Sequence, residues 1–353
     1  MKIAQLSPLA ESVPPKGYGG TERIISYLTQ ELLRQGHEVT LFASGDSETE
    51  ASLISACKHS LRGDENTLVP EAYLFQSLER AFRIASKFDV IHSHVDFLGL
   101  PWARRCKTPV LTTLHGRLDI PELKATYTLF RDLPLVSVSK AQQAPIPHVN
   151  WAGAIHHGLP SDLYQFNPAG GDYLAFLGRL SPEKRPDHAI EIAKRTNMPL
   201  KIAAKVDPAD QAYFKTQIEP LLDHPLIEFI GEISDREKQD FLGNARALLA
   251  PFDWPEPFGL VFIESLACGT PVLAYRRGSV PEILKHGVTG YIGDNIDDLA
   301  NSARALPVLS RGACREWFEA HFTAKRMADD YMRLYERIAD PIFSATATYA
   351  VAP

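Results

Sequence analysis

Along the first part of the chain, short apolar runs alternate with stretches of helical period. The runs are KIAQLS (2–7), VTLFAS (39–44), VIHSH (90–94), PVLTTLH (109–115) and PLVSVS (134–139). Between them the spacing of apolar positions predicts helices over 21–35 and around 72–87. Alternation of strand and helix implies a parallel, doubly wound sheet covered on both faces, and such sheets bind ligands at the carboxyl ends of their strands. After Ile155 the sequence HHGLPSDLYQFNPAGG (156–171) is dense in Gly, Pro, Asn and Asp and reads as a linker between domains.

The alternation then restarts with DYLAFLG (172–178), PLKIAAK (199–205), IEFIG (227–231), ALLAPF (247–252) and PVLAY (271–275). Helices are predicted from Pro182, over 207–222, over 235–244 and from Pro257. The expected domains are therefore 1–157 and 158–322, two similar α/β halves with a ligand cleft between them. A closing helix over about 323–340 is expected to pack back on the first domain, and 341–353 to form a weakly ordered tail.

Composition agrees with two globular cores, since 353 residues with 45% hydrophobic and 23% charged content suffice for both. Residues 1–157 hold 16 of the 37 basic and 16 of the 43 acidic side chains, so the net charge of −6 arises in the second half. Neither half resembles a nucleic-acid-binding domain. Cys57, Cys106, Cys268 and Cys314 lack CxxC or zinc-type spacing, as expected of reduced thiols in a cytoplasmic protein. No signal-peptide core and no run of eighteen apolar residues is present, so any membrane contact is expected to be peripheral.

The stretch EPFGLVFIESLACGTPV (256–272) raises the first question of chemistry. Pro257 suits the first turn of a helix, which puts Glu256 just outside it and Glu264 about two turns in. From Leu260 to Ala267 only Glu264 and Ser265 are polar, and a carboxylate on so apolar a helix needs a partner. A polar ligand would supply one; a glutamate on the solvent side of the helix is the alternative.

In FLGRLSPEKRPDHAI (176–190) a strand ends at Gly178, and Ser181 and Pro182 suit the cap and first position of a helix. Lys184 and Arg185 then fall in the first turn, where cations oppose the helix dipole unless an anion lies there. Arg179 could grip the same anion; a solvated basic loop is the alternative. KGYGGTERI (16–24) places three glycines before a helix, where backbone N–H groups could approach a phosphate, or where they form a plain turn. It departs from the dinucleotide-binding fingerprint, because Gly17 lies ten residues past Ser7 and Glu22 stands where a third small residue belongs. Under a dehydrogenase reading Asp46 would be the ribose-binding acid. His92 and His94 alternate on one strand without a third metal ligand at useful spacing, and His156 and His157 sit at the domain junction. His115 ends a strand before a glycine, which leaves a ligand contact and a structural role both open. Arg104, Arg105 and Lys107 beside Trp102 could rest on an anionic membrane surface or form a solvated basic turn.

Together the glycine loop, TLHG, the Arg179 and Lys184 pair, Glu256 and Glu264, ACGTPV and GSVPEILKHGVTG resemble the retaining family 4 glycosyltransferases of the GT-B fold, from about Lys2 to Tyr335. The resemblance implies two facing Rossmann-like domains, the first binding the acceptor and the second a nucleotide sugar. It assigns Arg179 and Lys184 to the donor diphosphate, Glu264 to the ribose hydroxyls and Glu256 to sugar hydroxyls. Backbone N–H groups of Phe258, Gly259 and Leu260 would join Glu256, and Gly19 and Gly20 would approach the diphosphate. His115 would touch the transferred sugar, while Lys205 and Gly231 would lie near the base. It further implies metal-independent, cofactor-free transfer of a hexose from a donor such as UDP-glucose, releasing UDP, to a saccharide or lipid-linked saccharide in polysaccharide or glycolipid synthesis. The HHGL linker and Arg276-Arg277 depart from the family pattern. Rival readings are a GT-B epimerase or phosphorylase, an NAD-dependent dehydrogenase and a non-catalytic sugar-nucleotide binder.

Overall fold

A computed structural model describes Met1–Asp340; the tail expected over 341–353 lies outside the described residues. The chain divides into two compact units. The first combines Met1–Pro160 with the chain from Ala324 onward, and the second is Ser161–Thr323.

The first unit is built on seven parallel strands, β1 (Lys2–Leu6), β2 (Glu38–Ala43), β3 (Ser52–Ser55), β4 (Val90–Ser93), β5 (Val110–Leu114), β6 (Leu135–Ser137) and β7 (Trp151–Ala154). Their order is β3-β2-β1-β4-β5-β6-β7. The second has six, β8 (Tyr173–Arg179), β9 (Leu200–Lys205), β10 (Ile227–Gly231), β11 (Ala245–Ala250), β12 (Val272–Tyr275) and β13 (Gly290–Gly293), ordered β10-β9-β8-β11-β12-β13. Both orders reverse direction next to the unit's first strand, so each sheet has a switch point where two loops diverge from adjacent carboxyl ends. β12 is buried along its whole length, which explains why VLAY reads as a continuous apolar run, and β4 is equally buried although VIHS carries two polar residues. β3, β7 and β13 escape sequence reading because SLIS, WAGA and GYIG are short and rich in small or polar residues.

The last helix, Ala324–Ala339, belongs to the first unit and packs against the helix Gly20–Arg34. Met327, Ala328, Tyr331, Leu334, Tyr335 and Ile338 form its buried stripe at helical spacing. Gln35 Nε2 donates to Asp329 Oδ1 across that contact at 2.9 Å.

Three predicted helices differ in the structure. Pro182–Lys184 is a single 3-10 turn, and the helix proper runs Pro186–Thr196. Arg185 between them adopts a left-handed conformation (φ 51°), which interrupts any continuous helix. The second helix runs Leu260–Ala267 and excludes Pro257, because Gly259 takes φ 82° and breaks the chain direction immediately before it. Glu264 consequently lies little more than one turn in. The segment 207–222 is a succession of short 3-10, α and π turns. Pro220 removes a backbone donor there and prevents one regular helix.

Candidate functional site

In the second unit the switch point lies between β8 and β11, whose carboxyl ends lead into the two loops that carry most of the candidate residues. Arg179 is the last residue of β8. Its guanidinium donates to Glu183 Oε1 at 3.1 Å and Asp207 Oδ2 at 3.4 Å, with Asp210 at 3.9 Å. Lys205, which ends β9, reaches Asp207 at 3.6 Å. Burial raises the Asp210 carboxyl against the lowering pull of Arg179.

Lys184 corrects the sequence expectation. It lies in the isolated 3-10 turn Pro182–Lys184 and not in the first turn of the longer helix, and a carboxylate of the protein already partners it. Nζ forms a short ion pair with Glu256 Oε2 and sits over the rings of Phe252, at 4.0 Å, and Trp254, at 5.2 Å. The left-handed backbone of Arg185 turns the chain here, and the Arg185 side chain is held by two hydrogen bonds to Asp187 at 3.0 and 2.7 Å. Ser181 makes no capping hydrogen bond, and its buried hydroxyl has no partner.

The loop after β11 is braced from two sides. Asp253 N donates to Glu183 O at 2.9 Å, which ties it to the turn after β8. Ser279 N donates to Glu256 O at 3.0 Å, and Ser279 Oγ donates to Phe258 O at 2.7 Å. Gly278 (φ 50°) allows this approach, since a Cβ there would lie 2.3 Å from Glu256 O. Gly259 is equally constrained, because its Cβ would lie 2.4 Å from the Phe262 ring. No side chain caps the helix that Leu260 begins. Arg179, Lys184, Glu256, Phe258, Gly259 and Leu260 thus lie on two loops pinned to each other.

Glu264 is 4% exposed, in line with the apolar surroundings read from sequence. Its Oε1 accepts from Lys238 Nζ at 3.2 Å, and Lys238 also reaches Asp235 at 3.1 Å. Burial of this carboxylate is therefore matched inside the protein and does not by itself require a ligand. Gly231 ends β10 with φ 79°, a conformation that favours glycine.

Gly19, Gly20 and His115 belong to the first unit. Gly19 immediately precedes the helix Gly20–Arg34, and a Cβ on it would lie 2.7 Å from Pro15 Cβ, so the loop needs glycine there for space. His115 follows β5 and stacks on His157, with ring centroids 5.3 Å apart. Burial lowers its ring to about 4, and burial likewise holds His92, His94 and His157 well below the usual range. All four are neutral at pH 7. His92 Nδ1 bonds Tyr335 OH at 2.6 Å and Nε2 bonds Thr113 Oγ1 at 2.7 Å, while His94 joins Gln5 and His115, so protein groups occupy the nitrogens considered for a metal. Asp46 accepts from Ser60 N at 3.0 Å and Ser60 Oγ at 3.2 Å, as a structural residue would. Arg104 is committed to Asp132 and to the face of Phe130.

Sequence reasoning missed Asp207, Lys238 and Asp96. Asp207 and Lys238 meet their partners only through the fold, so spacing carries no signal. Asp96 has φ 49° in the loop after β4, its carboxyl accepts from the backbone N–H of His115, and burial pushes it up to about 6. Its signal was its place two residues after VIHSH, just past a switch-point strand end.

Two family models match the chain, "Glycosyltransferase Family 4" over 18–151 and "Glycosyl transferases group 1" over 165–310. A D-inositol 3-phosphate glycosyltransferase of Thermobispora bispora is 31% identical, the match covering 71% of this chain and 72% of the relative. Sucrose-phosphate synthase of Thermosynechococcus elongatus superposes with a TM-score of 0.77 at 19% identity, covering 98% of this chain and 99% of that one. Anabaena HepE in complex with UDP and glucose gives 0.72 at 19% identity, with 95% and 99% covered.

Proposed function

The chain belongs to the GT-B glycosyltransferases of the group 1 / family 4 type, and on that premise we propose that it moves a hexose, with retention, from a UDP-sugar such as UDP-glucose to a saccharide or lipid-linked saccharide. The observation that carries this reading is the pinned pair of loops at the second switch point, where Arg179, Lys184 and Glu256 gather beside an uncapped helix N-terminus. That arrangement offers two fixed cations and backbone donors to a diphosphate and a carboxylate to hydroxyls. The HepE neighbour, solved with UDP and glucose, supports a uridine nucleotide as the donor's leaving part.

In the proposed reaction the anomeric carbon loses its bond to the diphosphate, and charge grows on the leaving oxygen. Arg179 and Lys184 stabilise that charge without a metal, because they are fixed before the bond breaks. Glu256, drawn from the same loop, orients sugar hydroxyls, and Glu264 holds the ribose. Phe258, Gly259 and Leu260 contribute backbone N–H groups, Gly19 and Gly20 approach the diphosphate, His115 contacts the sugar, and Lys205 and Gly231 flank the base. The leaving phosphate takes the acceptor proton on the same face, which gives retention. The proposed site of action is cytoplasmic, with peripheral membrane contact through Arg105 and Lys107 beside Trp102, Arg104 being held by Asp132; no helix of the described residues is long and apolar enough to cross a membrane.

Calorimetric titration with UDP and GDP in the presence of a chelator tests the donor assignment. UDP is expected to bind more tightly. Equal or reversed affinity removes the uridine assignment, binding lost to chelator removes metal independence, and product analysis separates transfer from epimerisation or phosphorolysis.

A further inference from the structure

Beneath the last helix of the first unit lies a chain of neutral polar groups that ends at His115. Gln5 on β1 pairs in register with His92 on β4, and His92 and His94, two apart, point to the same face of the sheet. Thr113 and His115 bear the same relation at the end of β5. Tyr331 and Tyr335 descend onto this face from the helix Ala324–Ala339. The resulting path runs from Tyr331 OH to Thr113 Oγ1 (2.9 Å), to His92 Nε2 (2.7 Å), and from His92 Nδ1 to Tyr335 OH (2.6 Å). It continues from Gln5 Nε2 to Tyr335 OH (3.3 Å), from Gln5 Oε1 to His94 Nε2 (2.8 Å), and from His94 Nδ1 to His115 Nε2 (2.9 Å).

A neutral imidazole has one donor and one acceptor nitrogen, so each contact fixes the next. Gln5 Oε1 can only accept; His94 therefore donates from Nε2 and its Nδ1 is an acceptor. His115 must then donate from Nε2 to that Nδ1. On the other branch Gln5 Nε2 donates to Tyr335, whose hydroxyl proton is free for His92 Nδ1, and His92 Nε2–H points to Thr113. Every contact is satisfied with one polarity, and Gln5 sets it, because its amide oxygen can only accept and its amide nitrogen only donate, whereas the imidazole nitrogens and hydroxyls can exchange roles. The contact with His94 uses Nε2 of His115 and leaves Nδ1 for a ligand.

We propose that Gln5 and His94 are positioning residues that hold His115 as its Nε2–H tautomer, so that a bare Nδ1 accepts a hydrogen bond from a hydroxyl of the bound sugar. This rests on the reading of His115 as a sugar contact. A neutral acceptor nitrogen suits a hydroxyl and repels a phosphate oxygen, which separates the role of His115 from that of Arg179 and Lys184.

The test uses the full chain with ¹⁵N-labelled histidine at neutral pH. Imidazole proton–nitrogen correlation, assigned with His115→Gln, is expected to show the His115 proton on Nε2, with a nitrogen–nitrogen coupling across the hydrogen bond to His94 Nδ1. A proton on His94 Nδ1 instead, or no proton shared between the two rings, overturns the tautomer assignment whatever the activity. Gln5→Met removes both amide ends and is expected to place part of the His115 population in the Nδ1–H form. It should lower kcat/KM about 3- to 10-fold, the scale of one uncharged hydrogen bond. Gln5→Glu retains the acceptor for His94 and is expected to keep the wild-type tautomer. A Gln5→Met protein with an unmoved His115 proton overturns the role of Gln5. One whose proton moves while kcat/KM stays overturns the sugar contact of His115 and leaves the tautomer chain standing.

Discussion

Replacing Lys184 by methionine separates what the residue does for the fold from what it does for the reaction. Lys184 and Glu256 form an ion pair with side chains 14% and 12% exposed, the ammonium over the rings of Phe252 and Trp254. Removing the ammonium leaves Glu256 with little water and no counter-charge. Breaking a fully buried pair costs about 3–5 kcal/mol, and the remaining exposure brings the expected loss to about 2–4 kcal/mol. Removing both charges, in Lys184→Met with Glu256→Gln, is expected to recover most of it, because the penalty lies in the orphaned charge. Urea unfolding checks this, with Trp254 fluorescence as a local signal. Activity should follow a different order. If Lys184 stabilises the leaving diphosphate, Lys184→Met lowers kcat by about 100-fold, more than it raises the donor KM, and the double variant recovers stability without recovering kcat. Arg179→Ala should behave alike, and combining it with Lys184→Met should cost less than the product of the two. A Lys184→Met protein as stable as the wild type refutes the energetic argument. Unchanged kcat with only a raised KM reduces Lys184 to a ground-state contact.

Further perturbations follow from the same geometry. Glu264→Gln should weaken UDP binding by about 1–3 kcal/mol while the protein stays folded; UDP affinity unchanged by calorimetry would make Glu264 a partner for Lys238 and nothing more. Gly278→Ala places a Cβ 2.3 Å from Glu256 O, so it should displace the 256–259 loop and weaken UDP binding with the rest of the unit intact, as amide exchange would localise. Arg311 donates to the carbonyls of Asn167, Gly243 and Ala245 and to Thr270 Oγ1, so Arg311→Met should destabilise the second unit by about 2–4 kcal/mol in urea unfolding; a smaller loss than 1 kcal/mol would mean water replaces the guanidinium. Between about 4 and the ordinary histidine value of about 6.5 the unfolded chain binds a proton that folded His115 refuses, so stability is full above that window and falls on acidification through it. His37, His92, His94 and His157 act in the same direction, and two carboxyls that burial raises, Asp96 to about 6 and Glu22, oppose them. The first unit should therefore lose stability from pH 7 to 5, and a urea midpoint that rises over that range would contradict the burial of these rings.

Much of the architecture was legible because burial on both faces makes β1, β2, β4 and β5, and their counterparts in the second unit, nearly continuous apolar runs. The edge strands and the broken helices were not, since β3 and β13 carry few large apolar residues and the left-handed turns at Arg185 and Gly259 depend on tertiary contacts. Gly259 could have been suspected, as glycine directly before an apolar helix. Nothing in SPEKRPD announces that Arg185, rather than a glycine, takes the turn.

The candidate site shows why inference from isolated charges overreaches. By sequence alone Lys184 looks misplaced at a helix start and Glu264 stranded in an apolar helix, and a ligand is one way to account for each. Both have protein partners, Glu256 and Lys238, contributed by segments 72 and 26 residues away along the chain. Arg179 likewise rests among Glu183, Asp207 and Asp210. A diphosphate reaching Arg179 and Lys184 must therefore compete with carboxylates that already satisfy them, and its affinity is the difference between two sets of charge-assisted bonds. That competition favours the transition state over the ground state: as charge builds on the leaving phosphate, its hold on the cations rises while that of the fixed carboxylates does not. On the roles proposed for Arg179 and Lys184, the acidic partners, invisible to motif reading, would tune how much of the cations' binding strength is withheld until the glycosidic bond breaks. On this argument Asp207→Asn should tighten UDP binding in calorimetry while lowering kcat, and a variant that lost both affinity and rate would show that Asp207 only holds Arg179 in place.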